Sequence, residues 1–393
     1  MRIPTYHGQW IETSEVFTGK HLLALPAVID CHVHFRTPGQ EYKEDWITGA
    51  SAALAGGVTT VCDMPNNVPS ITTSELLATK KELITGVLTK HNLKIHPYFY
   101  FGATNTNFEE IKKVQDEIIG IKVFLGSSTG NLLVDDLVAQ EKIFRLACEL
   151  DLPVAVHAED ETLIQENKNG FTRQTLADHS RIRSNTVAEQ GVTRAIKLCR
   201  LSKATTYILH VSTPEELVLI RAAKAEGLPI FAETTPHHLF LNTDDYTVLG
   251  TKAQVNPPLR SKADQIALWE GVLDGTIDTI GSDHAPHTLE EKNKPYPDSP
   301  SGMPGIETLL PLLLNAYHEG KLSLERIVEL THTNPQKIFG LPETNDWAVI
   351  DLDQTWTIDD TRLKTKCGWS AFGAMKLQGL IAGVVWNTTP VTI

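Results

Sequence analysis

Short apolar runs alternate with longer amphipathic segments along most of this chain. Eight runs have the length and composition of buried strands: Ala27–Cys31, Val58–Asp63, Ile95–Phe101, Gly120–Leu125, Pro153–His157, Thr206–His210, Pro229–Glu233 and Thr276–Asp283. The segments between them show helical spacing, for example Ser74–Lys90, Asn107–Glu117, Val138–Leu150, Ser184–Leu201, Pro214–Glu226 and Lys262–Leu273. Eight such units in succession predict an α/β protein with a closed (β/α)8 TIM-type barrel.

The two ends of the chain follow a different pattern. Strand-like segments cover Gly8–Glu15 and Phe17–Leu25, and after Gly340 they return over Trp347–Leu352, Trp356–Ile358 and Met375–Trp386. We expect the termini to meet in a small β-sheet packed against the barrel. The predicted domains are therefore residues 1–26 plus 341–393 for the sheet and residues 27–340 for the barrel.

Composition narrows the class of protein. Of 393 residues, 41% are hydrophobic and 21% are charged, which fits a globular chain with a large core. The net charge of -13 and the lack of a basic stripe argue against a nucleic-acid partner. No apolar run is long enough to span a bilayer, and the five cysteines show no paired short spacing. We expect a cytoplasmic protein without membrane contact, and a homodimer is a further expectation.

The first barrel strand ends in a histidine pair that suggests a metal site. His32 and His34 are two residues apart, so on a strand both point to the same side, with Arg36 behind them. Two imidazoles on one face can bind a first-row metal ion, although a His-Xaa-His pair also occurs by chance. His157, His210 and Asp283 close other predicted strands, and the carboxyl ends of parallel barrel strands meet at one rim.

These residues predict two neighbouring ions. His32 and His34 would bind one ion, with Asp283 able to contact it, and His157 and His210 would bind the other. Two cations at about 3.5–4 Å need a bridging anion. Lys122 lies inside an apolar strand, where burial lowers the pKa of an amine and makes it nucleophilic enough to add carbon dioxide as a carbamate. The alternative is a lysine that extends from the strand end to solvent.

Arg36 suits a substrate that carries a carboxylate, because guanidinium can bind a carboxylate through two parallel hydrogen bonds. A surface ion pair is the alternative for this residue. Downstream, residues 287–305 are rich in charge, proline and glycine, which predicts a long loop beside the mouth of the barrel.

Nine motifs resemble those of the amidohydrolase superfamily, and specifically the dihydroorotases of the long, type I-like group. They are DCHVHFR, DMPNN, GIKVF, VHAED, LHVST, TPHHLFL, VNPPLRS, SDHAPH and GMPGIET, from Asp30 to Thr308. In one of them, DMPNN, Asn67 stands where the family usually has threonine.

The resemblance implies a hydrolase with a binuclear zinc site. His32, His34 and Asp283 would hold one ion, His157 and His210 the other, and carboxylated Lys122 would bridge them. It also implies reversible cyclisation of N-carbamoyl-L-aspartate to L-dihydroorotate in pyrimidine biosynthesis. Asn66 and His287 would share the substrate carboxylate with Arg36, and Asn256 would bind the pyrimidine ring.

The proposed chemistry fits those residues. A hydroxide shared by two zinc ions is a nucleophile near neutral pH, and Asp283 would act as general base and then as general acid. Two alternatives stay open. One is a related cyclic amidase, namely a hydantoinase, dihydropyrimidinase or allantoinase, which shares the metal ligands but not the carboxylate pocket. The other is a non-catalytic scaffold.

Overall fold

A computed structural model describes residues 1–14, 16–128, 132–171, 175–386 and 389–391 of the chain. The strands in these ranges are β1 (Arg2–Pro4), β2 (Trp10–Glu12), β3 (Leu22–Pro26), β4 (Val28–Val33), β5 (Val58–Asp63), β6 (His96–Gly102), β7 (Gly120–Phe124), β8 (Val154–His157), β9 (Thr206–Ile208), β10 (Ile230–Thr234), β11 (Thr279–Ile280), β12 (Trp347–Thr357), β13 (Lys376–Trp386) and β14 (Thr389–Val391).

The helices alternate with the central strands. They are α1 (Trp46–Ala55), α2 (Ser74–His91), α3 (Phe108–Lys113), α4 (Leu137–Glu149), α5 (Glu161–Asn169), α6 (Leu176–Ile182), α7 (Asn185–Ser202), α8 (Pro214–Ala225), α9 (Pro236–Phe240), α10 (Tyr246–Leu249), α11 (Lys262–Leu273), α12 (Leu289–Lys292), α13 (Leu309–His318), α14 (Leu324–Val328) and α15 (Asn334–Ile338). Five residues, Glu329–Thr333, form a π-helical turn between α14 and α15.

Strands β4 to β11 form one parallel sheet in chain order, which confirms the predicted barrel. Each of the eight predicted runs overlaps a strand of this sheet. The last one is shorter than expected, since only Thr279 and Ile280 of the run Thr276–Asp283 pair as a strand. The sheet closes through a single parallel bridge between Val33 and His284, where the His34 amide donates to the His284 carbonyl at 2.8 Å.

Local sequence signals explain where several helices begin. Helix α8 follows Thr213, whose hydroxyl accepts from the Glu216 amide while Glu216 reaches back, and Pro214 occupies the first turn. Helix α11 starts in the same way from Ser261 and Asp264. Such caps satisfy amide groups that have no partner within the helix. The predicted and observed bounds of α11 are therefore the same.

The termini build a second, antiparallel sheet in the order β14-β13-β12-β3, as expected. Its residues Leu23, Leu25 and Ile350 belong to the same hydrophobic core as the barrel helices. Two details differ from the predictions. The described residues 8–14 of the segment Gly8–Glu15 contain β2, which pairs with β1 in a separate hairpin, and Glu15 lies outside the described residues. Trp347–Leu352 and the first two residues of Trp356–Ile358 belong to one strand, β12.

The division into residues 1–26 plus 341–393 and residues 27–340 stays a prediction, and its last residues, 392–393, lie outside the described ranges. Among the described helices, none combines the length and the apolar composition that a membrane span requires.

Candidate metal centre and substrate cavity

Three side chains from the two edges of the barrel closure meet at the carboxyl-terminal rim. Asp283 Oδ1 lies 3.3 Å from His32 Nε2 and 3.2 Å from His34 Nε2. Ligand atoms of the three residues all lie within 4.8 Å of one another, and all three residues are buried. The structure thus brings together the three residues that the sequence predicted for the first ion.

Hydrogen bonds orient both imidazoles of this cluster. His32 Nδ1 donates to Glu233 Oε1 at 2.8 Å, and His34 Nδ1 donates to Asn66 Oδ1 at 2.8 Å. A neutral imidazole that donates through Nδ1 keeps its lone pair on Nε2. The two Nε2 atoms that face Asp283 are therefore the ones free to bind a cation, which is the arrangement typical of metal-binding histidines.

A second imidazole pair lies beside the first cluster. His157 Nδ1 and His210 Nε2 are 2.9 Å apart, and the ring of His210 lies 5.6 Å from that of His32. His157 Nε2 donates to Glu159 Oε2 at 2.8 Å, so the lone pair of His157 is on Nδ1, toward His210. Glu159 in turn accepts from Arg183.

The donor set fits metal ions. Two ligand atoms that each lie 2.0–2.1 Å from a tetrahedral zinc ion are about 3.3 Å apart, which is close to the distances between Asp283 and the two histidines. Burial lowers the pKa of His34 to about 3 and also lowers that of His157, because the charged imidazolium is poorly solvated there. Neutral imidazoles are the form that binds metal. Within the part of the chain that the structure describes, the buried His210 Nδ1 has no hydrogen-bond partner, so one histidine of the second pair has an unused polar atom.

Lys122 faces the same cavity from β7. The side chain is buried, with Nζ 4.4 Å from the ring centroid of Phe124. Burial lowers its pKa to about 7, and the nearby charges of Asp283 and Glu233 offset this only in part. A substantial fraction of the amine is therefore uncharged near neutral pH.

A small cavity at the barrel rim lies above these groups. Its lining includes all six predicted ligands and three predicted substrate residues, Arg36, Asn66 and Asn256. Asn256 Oδ1 is buried and has no hydrogen-bond partner among the described residues. His287 does not line the cavity. It is fully buried behind Arg36, with its Nε2 3.2 Å from Arg36 Nη2.

The backbone turns sharply where several of these side chains leave the strands. Arg36, His210 and Asp283 have φ values of 60°, 39° and 45°, in the left-handed region that non-glycine residues rarely occupy. Such conformations cost roughly 1–3 kcal/mol each and persist where surrounding contacts hold them, often at functional sites.

A glycine lets the loop 287–305 approach the site. Gly302 has φ 138°, and a Cβ there would lie 2.6 Å from the Ala285 carbonyl oxygen and 3.1 Å from His287 Cδ2. The predicted loop is not wholly irregular, because it contains α12.

Several supporting residues escaped the sequence analysis. Glu233 and Glu159 orient the ligand histidines, and Lys43 contacts His287. A signal was available for the two glutamates, since Glu233 ends the seventh predicted strand and Glu159 follows the fifth by two residues. Lys43 lies between β4 and α1, and no pattern in the sequence connects it to His287.

Comparison with known proteins places this geometry in context. The profile of the Amidohydrolase family matches residues 23–345. A dihydroorotase of Halobacterium salinarum is 37% identical over 377 residues, 92% of this chain and 86% of that protein. The Multifunctional protein CAD of Squalus acanthias is 37% identical over 366 residues, but the chain spans only 15% of it. Among solved structures, the L-hydantoinase (dihydropyrimidinase) of Arthrobacter aurescens superposes with a TM-score of 0.88 at 29% identity, covering 97% of this chain and 89% of that one.

Proposed function

Because this chain belongs to the dihydroorotases of the amidohydrolase family, we propose that it catalyses the reversible cyclisation of N-carbamoyl-L-aspartate to L-dihydroorotate in pyrimidine biosynthesis. Dihydroorotases are cyclic amide hydrolases. One observation carries this choice of substrate. A buried guanidinium, Arg36, lines the same small cavity as the candidate metal ligands. A cyclic amide that also carries a carboxylate would match both the candidate metal ligands and the guanidinium.

We propose two zinc ions at this rim. His32, His34 and Asp283 would hold one, His157 and His210 the other, and Lys122 would bridge them as a carbamate. The neutral Lys122 amine adds carbon dioxide and releases one proton, which yields an anion with two oxygens. Bound zinc lowers the pKa of water and polarises a carbonyl group. The uncharged fraction of Lys122 and the free lone pairs of the histidines support this assignment.

In the ring-opening direction, a side chain of the protein transfers the proton. Asp283 accepts a proton from the water that attacks the amide carbonyl and passes it to the ring nitrogen that leaves. Asp283 is ionised near neutral pH, so one of its carboxylate oxygens can accept this proton. Biosynthesis runs the same steps in reverse.

Arg36 and Asn66 would hold the carboxylate that does not react, His287 would take part through its contact with Arg36, and Asn256 would bind the ring. Burial lowers the pKa of Arg36 to about 10, so the guanidinium remains charged at neutral pH. The free Oδ1 of Asn256 can accept from a ring N–H. Asn66 lines the cavity while its Oδ1 binds His34 Nδ1, so this residue would link substrate and metal ligand.

A second cyclic amidase activity is the competing proposal, because the fold closely matches a hydantoinase structure. Arg36 argues against it, since a neutral ring leaves a buried guanidinium without an anion. A non-catalytic scaffold is the weaker reading, because every predicted ligand residue is present and lines one cavity.

One assay separates these proposals. Ring opening of dihydroorotate is compared with that of dihydrouracil, hydantoin and allantoin, with metal content measured on the same sample. We expect dihydroorotate to be strongly preferred and about two zinc ions per chain. A neutral ring as the best substrate would refute the proposed specificity.

A further inference from the structure

One buried carboxylate contacts a candidate ligand of each ion. Glu233 Oε1 accepts from His32 Nδ1 at 2.8 Å and from the backbone amide of His210 at 3.2 Å. His32 is a candidate ligand of the first ion, and His210 is a candidate ligand of the second. Glu233 is completely buried. The orientation of this one carboxylate therefore bears on both halves of the candidate metal centre.

The second oxygen of this carboxylate is held by a tyrosine in the barrel interior. The Tyr207 hydroxyl donates to Glu233 Oε2 at 2.9 Å and lies 2.6 Å from the hydroxyl oxygen of Thr279. A carboxylate only accepts, so Tyr207 gives its single proton to Glu233 and accepts the proton of Thr279. Tyr207 and Thr279 are completely buried, so this chain of hydrogen bonds is closed to solvent.

The register of the barrel strands explains how these side chains meet. Glu233 on β10 pairs with Thr279 on β11, and Tyr207 comes from β9, on the other side of β10. Side chains from alternate strands fill a barrel interior in layers, so groups from β9 and β11 can meet. A glycine leaves room for the carboxylate, since a Cβ at Gly281 would clash with Glu233 Oε2 and lie 3.1 Å from His32 Cβ. Tyr207 and Gly281 thus both border Oε2.

The hydroxyl of Tyr207 has no substitute at this position. Among the described residues, it is the only group that donates to Glu233 Oε2. A buried carboxylate oxygen without a donor is costly, so loss of this hydroxyl should make the carboxylate turn toward another partner. Burial, followed by the charge of Glu233, raises the pKa of Tyr207 well above its ordinary value, so the phenol keeps the proton that it donates.

We propose that Tyr207 is a positioning residue for the metal centre: its hydroxyl fixes the Glu233 carboxylate, which holds the His32 ring with its lone pair directed at the ion. The inference rests on the proposed function, because it assumes zinc at His32. Groups that orient metal-binding histidines influence metal affinity as well as geometry. A role in metal affinity thus falls to a residue that does not line the cavity.

The test measures zinc affinity in Y207F, Y100F and the unchanged protein by competition with a chromophoric chelator. In Y207F, we expect the apparent dissociation constant for zinc to rise roughly 3- to 10-fold, the loss that corresponds to one hydrogen bond. Y100F is the matched control. The buried Tyr100 hydroxyl donates to the backbone carbonyl of Cys31 at 3.1 Å, and both tyrosine rings pack against Phe339. The zinc affinity of Y100F should stay close to that of the unchanged protein.

Two further readouts separate positioning from a merely structural role. With zinc removed, Y207F and Y100F should melt at similar temperatures, since each variant loses one buried hydroxyl. Added zinc should raise the melting temperature less in Y207F than in Y100F, because weaker binding stabilises the folded state less. Turnover of dihydroorotate by Y207F should need more zinc to reach half its maximum. It should still approach the plateau of the unchanged protein, because Tyr207 does not line the cavity.

Three results would overturn the inference: an unchanged zinc affinity in Y207F, an equal loss of affinity in Y100F, or a zinc-induced rise in melting temperature that is the same in both variants. Melting of the metal-free protein checks that Y207F folds, and Y207M takes the same tests if it does not. Failure of the proposed function is distinguishable, because the unchanged protein would then bind no zinc or would not open dihydroorotate at all.

Discussion

Asp283 is the single side chain on which the proposed proton transfer depends. Replacing it by alanine should lower kcat by about 10²- to 10⁴-fold, the usual contribution of a general base, while the fold persists. The measurement is the rate of dihydroorotate ring opening, with circular dichroism as the check on folding. Asp274→Ala, which removes an exposed carboxylate paired with Arg221, is the matched control. Near-normal turnover by Asp283→Ala would remove this residue from the base role.

Arg36 governs the choice of substrate rather than the chemistry. Arg36→Ala should raise KM for dihydroorotate roughly 10- to 100-fold, since it deletes charge-assisted hydrogen bonds to the carboxylate. Activity on dihydrouracil, which lacks that carboxylate, should not fall. Arg221→Ala serves as the control for lost positive charge at the surface. Equal losses on both substrates would show that Arg36 has a structural role only.

Asn67 illustrates how a departure from the family pattern is accommodated. Its Oδ1 accepts from Lys80 Nζ at 2.9 Å, and Lys80 also donates to the Met64 carbonyl at 3.2 Å. The residue therefore helps to anchor the loop that carries Asn66, whose side chain orients His34. The sequence marked this position as unusual but could not show its partner, which lies on the next helix.

At the scale of elements, one buried ion pair joins helix α2 to the end of strand β5. Lys80 Nζ lies 2.6 Å from Asp63 Oδ2, and both side chains are completely buried. Asp63 Oδ1 also accepts from the Phe35 amide at 2.8 Å, beside the ligand strand β4. The pair thus connects an outer helix with the backbone that presents His34.

Removing one partner of this pair should destabilise the whole protein. Lys80→Met leaves a buried, unpaired carboxylate, which costs about 3–5 kcal/mol and should lower the midpoint of denaturant unfolding. Lys81→Met, which breaks a solvent-facing pair with Glu117, should cost less than about 1 kcal/mol. A Lys80→Met protein as stable as Lys81→Met would contradict the reading that the buried pair holds α2 to the sheet.

The helices and strands were largely predictable from the sequence, whereas the contacts between distant side chains were not. Continuous apolar runs identify strands buried on both faces, so every barrel strand was found. β11 has two residues because the chain leaves the strand pairing early and places Asp283 and His284 beside β4, where the barrel closes. The ligand residues end strands and could be predicted. Lys43 could not, because its partner His287 lies 244 residues away in the chain and no sequence pattern connects the two.

At the scale of the whole molecule, chelation offers a direct test of the metal centre. Removing metal should abolish turnover and lower the melting temperature, because a ligand that binds only the folded state stabilises it, by about 2.7 kcal/mol at 100 times its dissociation constant. Restoring zinc should reverse both effects. In the His157→Ala variant the zinc-induced rise in melting temperature should be smaller. An unchanged melting temperature after complete metal removal would count against an ion bound within the barrel.

The barrel closure has a mechanical consequence. Val33, the last residue of β4, pairs with His284, which follows β11, and Asp30 Oδ1 supports this junction by accepting from the amides of His32 and Ser282. An ion bound by His32, His34 and Asp283 would link the two edges of the barrel sheet. The metal would then bind where the two edges of the sheet meet, so amide exchange at His34, whose N–H donates to the His284 carbonyl, should become faster when metal is removed.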